Sequence, residues 1–202
     1  STTASRGTFQ LGHAVVSAAR QLRHDLDKYG GRLERLAGRF YKGHYDSAGQ
    51  TSGQGAPGEI RNHVSYSFAT HVAFMDENGR LEKIIAAHDS GRVVNRPLYE
   101  GQVQGGVVMG MGYAPHRKHF PIKDGLLLSG RLNACGLPRA TDVPEIEVIA
   151  VEVPDPEGPL RAKGLGEIAC IPTAPAIVNA LYQVDGVRRR SLPVNAQKNP
   201  PA

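Results

Sequence analysis

The chain has 202 residues, of which 40% are hydrophobic and 21% charged, the balance of a folded globular protein and not of a disordered one. Its formal charge of +5 is scattered, the densest basic run is the short Arg188-Arg189-Arg190, and there is no Trp, so nucleic-acid binding is not expected. No apolar run approaches the ~18 residues of a membrane span, the opening Ser-Thr-Thr-Ala-Ser is unlike a leader, and Cys135 and Cys170 stand in no paired spacing, which together suggest a cytoplasmic protein.

From Thr8 to about Lys28, Leu11, Ala14, Val15, Ala18 and Leu22 recur at three- and four-residue spacing and predict an amphipathic helix that Gly30-Gly31 stops. A weaker helical stretch covers Leu33 to Phe40. Residues 43–58, rich in Gly, Ser and Gln with little to bury, read as a surface loop or a disordered stretch. Val64, Tyr66, Phe68, Val72 and Phe74 keep one parity up to the turn at Asp76-Glu77-Asn78-Gly79, and Leu81 to Ala87 resumes the apolar run, so a β-hairpin is expected. Asp89, in the following His88-Asp89-Ser90-Gly91, suits an Asx-turn.

After a break at Asn95-Arg96-Pro97, Leu98 to Met111 carries apolar residues at helical spacing together with Gly101, Gly105, Gly106 and Gly110. Glycine weakens a helix, and the reason to tolerate it is close approach of a backbone or a ligand. Leu126-Leu127-Leu128 is a short strand candidate. Ile146 to Val153, apolar on both faces beyond Ile149, predicts a central strand. A helix follows from about Pro172 to Tyr182, then a short strand after Asp185-Gly186 and a polar tail at 195–202. The architecture expected is α+β, with mixed sheets and packed helices.

Chemistry concentrates in Lys163-Gly164-Leu165-Gly166-Glu167-Ile168-Ala169-Cys170-Ile171-Pro172, where one carboxylate sits between two glycines and a helix start. The apolar run behind Glu167 should enter the core and leave the carboxylate partly enclosed, a setting that suits proton transfer near neutral pH. Two structural roles compete with that reading: Glu167 caps the next helix, or it pairs with Lys163. Ser5 or Thr8 likewise suits an N-cap, and Gln102 a solvated helix position. The eight histidines show no ligand spacing, so no metal held by protein side chains is expected.

The Gly164–Glu167 stretch resembles the C-terminal Gly-x-Gly-Glu segment of the molybdenum hydroxylases, the family of xanthine dehydrogenase, aldehyde oxidoreductase and carbon monoxide dehydrogenase. Three other stretches are similar in order and approximate spacing. Thr3-Ala4-Ser5-Arg6-Gly7-Thr8 looks like the family's cofactor-contacting turn. Gly91-Arg92-Val93-Val94-Asn95 with Gly101-Gln102-Val103-Gln104-Gly105-Gly106 looks like its glycine-rich helix. Arg139-Ala140-Thr141-Asp142-Val143-Pro144 is similar to the lead-in to a strand in the bacterial purine-hydroxylase branch.

The resemblance implies that residues 1–202 are the C-terminal portion of a molybdenum-cofactor-binding domain with Glu167 as catalytic base. Cofactor contacts would come from Thr3, Ala4, Ser5, Arg6, Gly7, Gln102, Gly164 and Gly166. It implies a molybdopterin-type cofactor, as the simple pterin or its cytosine dinucleotide, with molybdenum held by the pterin and not by protein side chains. Iron–sulfur clusters and FAD are expected on other chains or regions, as is the upstream pterin-binding region that completes the site. The implied reaction is hydroxylation of purines or related N-heterocycles with oxygen from water. An aldehyde or carbon monoxide oxidoreductase, or a noncatalytic partner-binding scaffold, is the alternative.

Overall fold

The computed structural model describes residues 5–46, 65–114, 122–128, 137–192 and 194. Thr3, Ala4, Val64, Cys135, most of the 43–58 stretch and the tail beyond 194 lie outside the described residues. The chain forms two compact units, one of Ser1–Ser67, Asp89–Val94 and Glu152–Gly164, the other of Phe68–His88, Asn95–Val151 and Leu165–Ala202.

In the first unit the predicted helix begins as a π-helical turn, Gly7–Leu11, that continues into α1 (Gly12–Lys28). π-turns are uncommon and recur at functional sites. Gly30 and Gly31 end the helix as expected, the Gly31 N–H donating to Leu26 O at 2.9 Å. None of the α1 residues is buried, and Leu11 and Val15 are 62% and 58% exposed, so the apolar stripe is present but uncovered in this chain. The weaker helix shrinks to a 3-10 turn, Leu33–Leu36, because Gly38 turns left-handed just beyond it.

Residues 39–46 then return along α1. Gln21 Nε2 donates to Lys42 O at 2.9 Å, and His13 stacks on Tyr45 at 4.5 Å. The start of the expected free loop is therefore packed, because His13 and Phe9 give the Tyr45 ring a surface.

In the second unit, β1 (Phe68–Met75) and β2 (Leu81–Asp89) form the predicted hairpin, followed by α2 (Arg96–Met111). Asn95 caps α2 by accepting from Leu98 N–H at 3.0 Å, with proline in the first turn, so the expected break is a helix start. A two-residue ladder pairs β3 (Ile122–Lys123) with β4 (Leu126–Leu127). A 3-10 turn at Ala140–Asp142 leads into β5 (Glu145–Val151), and α3 (Thr173–Asp185) ends the regular structure. Beyond Gly186 no strand forms among the described residues, and Arg189 instead folds back onto the Asp185 carboxylate.

The main sheet has the order β1-β2-β5, so β5 is an edge strand and not the central one its composition predicted. Its apolar residues on the second face, Ile149 and Val151, remain 42% and 41% exposed. The alternation in β1 is present with the opposite face buried. Phe68, Val72 and Phe74 are exposed on the side where Lys83 pairs with Glu145 and Glu147, while His71 faces inward toward α3. The core of this unit includes Ile84, Ala86, Val103, Val107, Met111, Ala169 and Ile177, all fully buried. Burial of a large aliphatic side chain stabilises by about 1.5–3 kcal/mol, so these residues fix α2 and α3 on the sheet.

Candidate functional site

The residues suggested by sequence divide between the two units. In the first, Ser5 precedes the π-turn with a left-handed backbone, φ 58°, uncommon for serine. Its side chain lies against Gly164, where an added Cβ would come within 2.6 Å of Ser5 Cβ and Oγ. Ser5 and Gly164, far apart in sequence, are thus in contact. Arg6, at the start of the π-turn, makes no side-chain capping hydrogen bond, and the Ser5 carbonyl accepts from the Phe9 N–H at 3.1 Å.

The chain leading into Gly164 is held by an arrangement that the sequence did not reveal. Asp89 accepts from the Gly91 N–H at 3.0 Å, which is the expected Asx-turn, and also from the Val153 N–H at 3.4 Å. Its other oxygen receives the Lys163 ammonium at 2.6 Å, with both side chains buried. Gly91 bridges Ala162, and the Lys163 N–H donates to Ser90 O at 2.7 Å. Leu160 and Arg161, just before, take left-handed backbones at φ 53° and 67°, a strain the surrounding hydrogen bonds must offset. Lys163 therefore serves Asp89.

In the second unit the glycines of α2 separate into two faces. A Cβ on Gly106 would fall 2.3 Å from Ala169 Cβ, and one on Gly110 would fall 2.5 Å from Thr173 Cβ. These two let the helix backbone press directly on the segment that follows Glu167. Gly101 and Gly105 have open space above them, with Gln102 between. Gln102 Nε2 donates to Gly166 O at 2.8 Å, so Gln102 is bonded and not merely solvated.

Glu167 precedes the 3-10 turn Ile168–Cys170 and makes no side-chain capping bond. Its carbonyl accepts from the Cys170 N–H at 3.3 Å and Sγ at 3.2 Å. The capping role is thereby excluded. The side chain is exposed in this chain and Ile171 is 67% exposed, so the expected enclosure is not produced by the residues described. Only Ala169 of the apolar run is buried.

A second feature missed by the sequence lies under the α3 start. His71 Nε2 and His88 Nε2 are 2.7 Å apart, His71 Nδ1 is 3.0 Å from Thr173 Oγ1, and all three side chains are buried. His88 Nδ1 has no partner among the described residues. One short N···N contact requires a donor on one ring and a lone pair on the other, so at least one imidazole is neutral. Burial pushes the His71 imidazole down to about 4, His88 adds to that, and burial also lowers His88.

The pH dependence follows in sign. The folded state resists protonation that the unfolded chain accepts near 6.5, so stability is full above that pH and is lost as pH falls toward about 4. Urea midpoints at pH 6.5 and 5 should show the drop, at up to about 1.4 kcal/mol per pH unit for each proton. Ordinary carboxylates remain mostly ionised over that interval. A flat midpoint across it would show that the pair is not buried neutral.

The sequence pattern of the molybdopterin cofactor-binding domain family matches residues 1–144. The xanthine dehydrogenase molybdenum-binding subunit of Escherichia coli O157:H7 is 35% identical over 119 residues, covering 58% of this chain and 16% of that protein. The aldehyde oxidoreductase of Megalodesulfovibrio gigas is 26% identical over 207 residues, covering 96% of this chain and 22% of that protein. Among solved structures, aldehyde oxidoreductase from Desulfovibrio gigas superposes with a TM-score of 0.76 at 25% identity, over 93% of this chain and 22% of the other. The chain thus spans 16% to 22% of the length of these relatives. With a family match over most of the sequence and a superposition over nearly all of it, the chain belongs to the molybdopterin cofactor-binding domain family of the molybdenum hydroxylases.

Proposed function

We propose that this chain supplies the catalytic base, Glu167, and part of the cofactor-holding surface of a xanthine dehydrogenase-like hydroxylase that acts on purines or related N-heterocycles. The observation that carries this reading is the placement of Glu167. Its own carbonyl and that of Gly166 are both hydrogen-bonded, while its carboxylate makes no cap and is exposed to receive a ligand or substrate.

The residues fit a pterin cofactor on the chemistry of this surface. Open space over Gly101 and Gly105 leaves backbone that a flat ring can approach, and the Gln102 amide between them has donors and an acceptor for ring heteroatoms. In the first unit Ser5, Arg6 and Gly7 with Gly164 offer a hydroxyl, a guanidinium and backbone at the start of a helix, a setting suited to anionic oxygens. Thr3 and Ala4 extend that group in sequence. The bound cofactor supplies two-electron redox chemistry and activation of an oxygen derived from water. Glu167 accepts the proton released as that oxygen becomes a nucleophile.

The purine assignment rests on the Arg139–Pro144 similarity and on the likeness to a xanthine dehydrogenase subunit. A second reading, an aldehyde oxidoreductase, is favoured by the superposition on one and by the 32% identity to the aldehyde oxidoreductase molybdenum-binding subunit PaoC of Escherichia coli (strain K12). Electron-carrying iron–sulfur and flavin centres, and the upstream pterin-binding region, are assigned to other regions or subunits. No helix among the described residues is long and apolar enough to cross a membrane, and we assign the assembly to the cytoplasm.

The test is steady-state hydroxylation by the native assembly with hypoxanthine and with benzaldehyde, alongside its molybdenum content. Turnover of hypoxanthine with molybdenum present supports the purine reading, and turnover of benzaldehyde alone supports the second. The 202-residue chain by itself is expected to turn over neither. An assembly devoid of molybdenum would identify a scaffold and overturn both.

A further inference from the structure

Positions 102, 106 and 110 of α2 are each one helical step of four apart and form one ridge. Along that ridge the helix meets the segment carrying Glu167 at three points. Gln102 Nε2 bonds to Gly166 O at 2.8 Å, Gly106 abuts Ala169, and Gly110 abuts Cys170 O and Thr173. The last two are contacts of backbone and small side chains against a helix with no Cβ, close-packed and stiff. At Gln102 an α2 side chain bridges the gap with a hydrogen bond.

Glu167 falls between the first and second of these points. The carbonyl before it is held by Gln102, and its own carbonyl is held by Cys170 through N–H and Sγ. With both flanking peptide groups anchored, the remaining freedom of the carboxylate is its own side-chain torsions. Resting on the reading of Glu167 as the base, we propose that Gln102 is a positioning residue for Glu167, acting through the Gly166 carbonyl. The same amide has a second N–H and an oxygen for other partners, so this role is compatible with a cofactor contact. A base set out of line by about 1 Å can lose on the order of 10² in rate, which is why such an anchor matters.

The test compares the full-length native protein with Gln102→Met, which preserves length and removes the donor. The first readout is amide hydrogen exchange in cofactor-depleted protein, where no turnover is needed. Loss of one hydrogen bond should speed exchange at the Cys170 amide by roughly five- to tenfold, with the amides of β2 unchanged. In molybdenum-loaded protein, kcat per bound molybdenum on the substrate it turns over should fall by about tenfold, with KM unchanged. Adding Gln102→Met to Glu167→Gln should cause no further loss, because both act through one carboxylate.

Unchanged Cys170 exchange would overturn the proposal, as would a fall in molybdenum content that accounts for the lost turnover, which would make Gln102 a cofactor ligand only. Full turnover by Glu167→Gln would instead remove the function proposed for Glu167. The exchange result separates that failure from failure of the Gln102 anchor.

Discussion

Glu167→Gln in the native assembly should reduce hydroxylation by a factor of about 10² or more with molybdenum content unchanged. The substitution keeps the shape of the side chain and removes only its capacity to accept a full proton. The backbone around it should be undisturbed, because the bonds at Gly166 and Cys170 are made by main-chain oxygens. The side chain makes no capping bond in the chain, so a stability change is not expected to confuse the result. Loss of turnover should appear in kcat, with KM little changed, since a base acts mainly in the transition state. Steady-state rates normalised to molybdenum provide the check. Equal rates for parent and variant would leave Glu167 with no chemical role.

The largest stability effect is expected at Lys163. Replacing it with Met should weaken the first unit by about 3–5 kcal/mol, because the Asp89 carboxylate would stay buried without its ammonium partner. Asp89 would keep the Gly91 and Val153 N–H groups, which are too few to replace water and a cation together. The double replacement Asp89→Asn with Lys163→Met should be less damaging than Lys163→Met alone. It retains an oxygen for the Gly91 N–H and leaves no buried charge. Hydrogen exchange at the Gly91 and Lys163 amides, followed across urea concentrations in the whole protein, measures this directly. If the double replacement is the worse of the two, the ion pair is a net stabiliser in its own right and the unpaired-charge argument fails.

The two predictions concern neighbouring parts of one motif. From composition, Lys163 and Glu167 were candidates to pair with each other. The structure gives Lys163 to Asp89 and leaves Glu167 without a cap, which removes the main structural explanations for that carboxylate. Nothing near Lys163 in the sequence points to Asp89. The contact depends on Gly91 and Ala162 pairing across a long intervening stretch. The glycines of α2 carry a similar lesson, since composition offered a backbone or a ligand as the reason for them. Gly106 and Gly110 take the first, and Gly101 and Gly105 remain open for the second.

What the sequence determined by itself is what depends on local order. Spacing placed α1, the hairpin, α2 and α3 to within a few residues, and Gly30-Gly31 and the break at Asn95-Arg96-Pro97 marked real boundaries. The ordered set of motifs, from Ser5 to Glu167, pointed to the family that the comparisons show. Which face of β1 is buried, the edge position of β5, the His71–His88 contact and the partner of Lys163 were decided only by tertiary structure. Period-two alternation defines two faces without saying which one meets a helix, and here α3 covers the face bearing His71. Partners for buried polar groups come from remote segments, where long-range packing decides and local spacing carries no information.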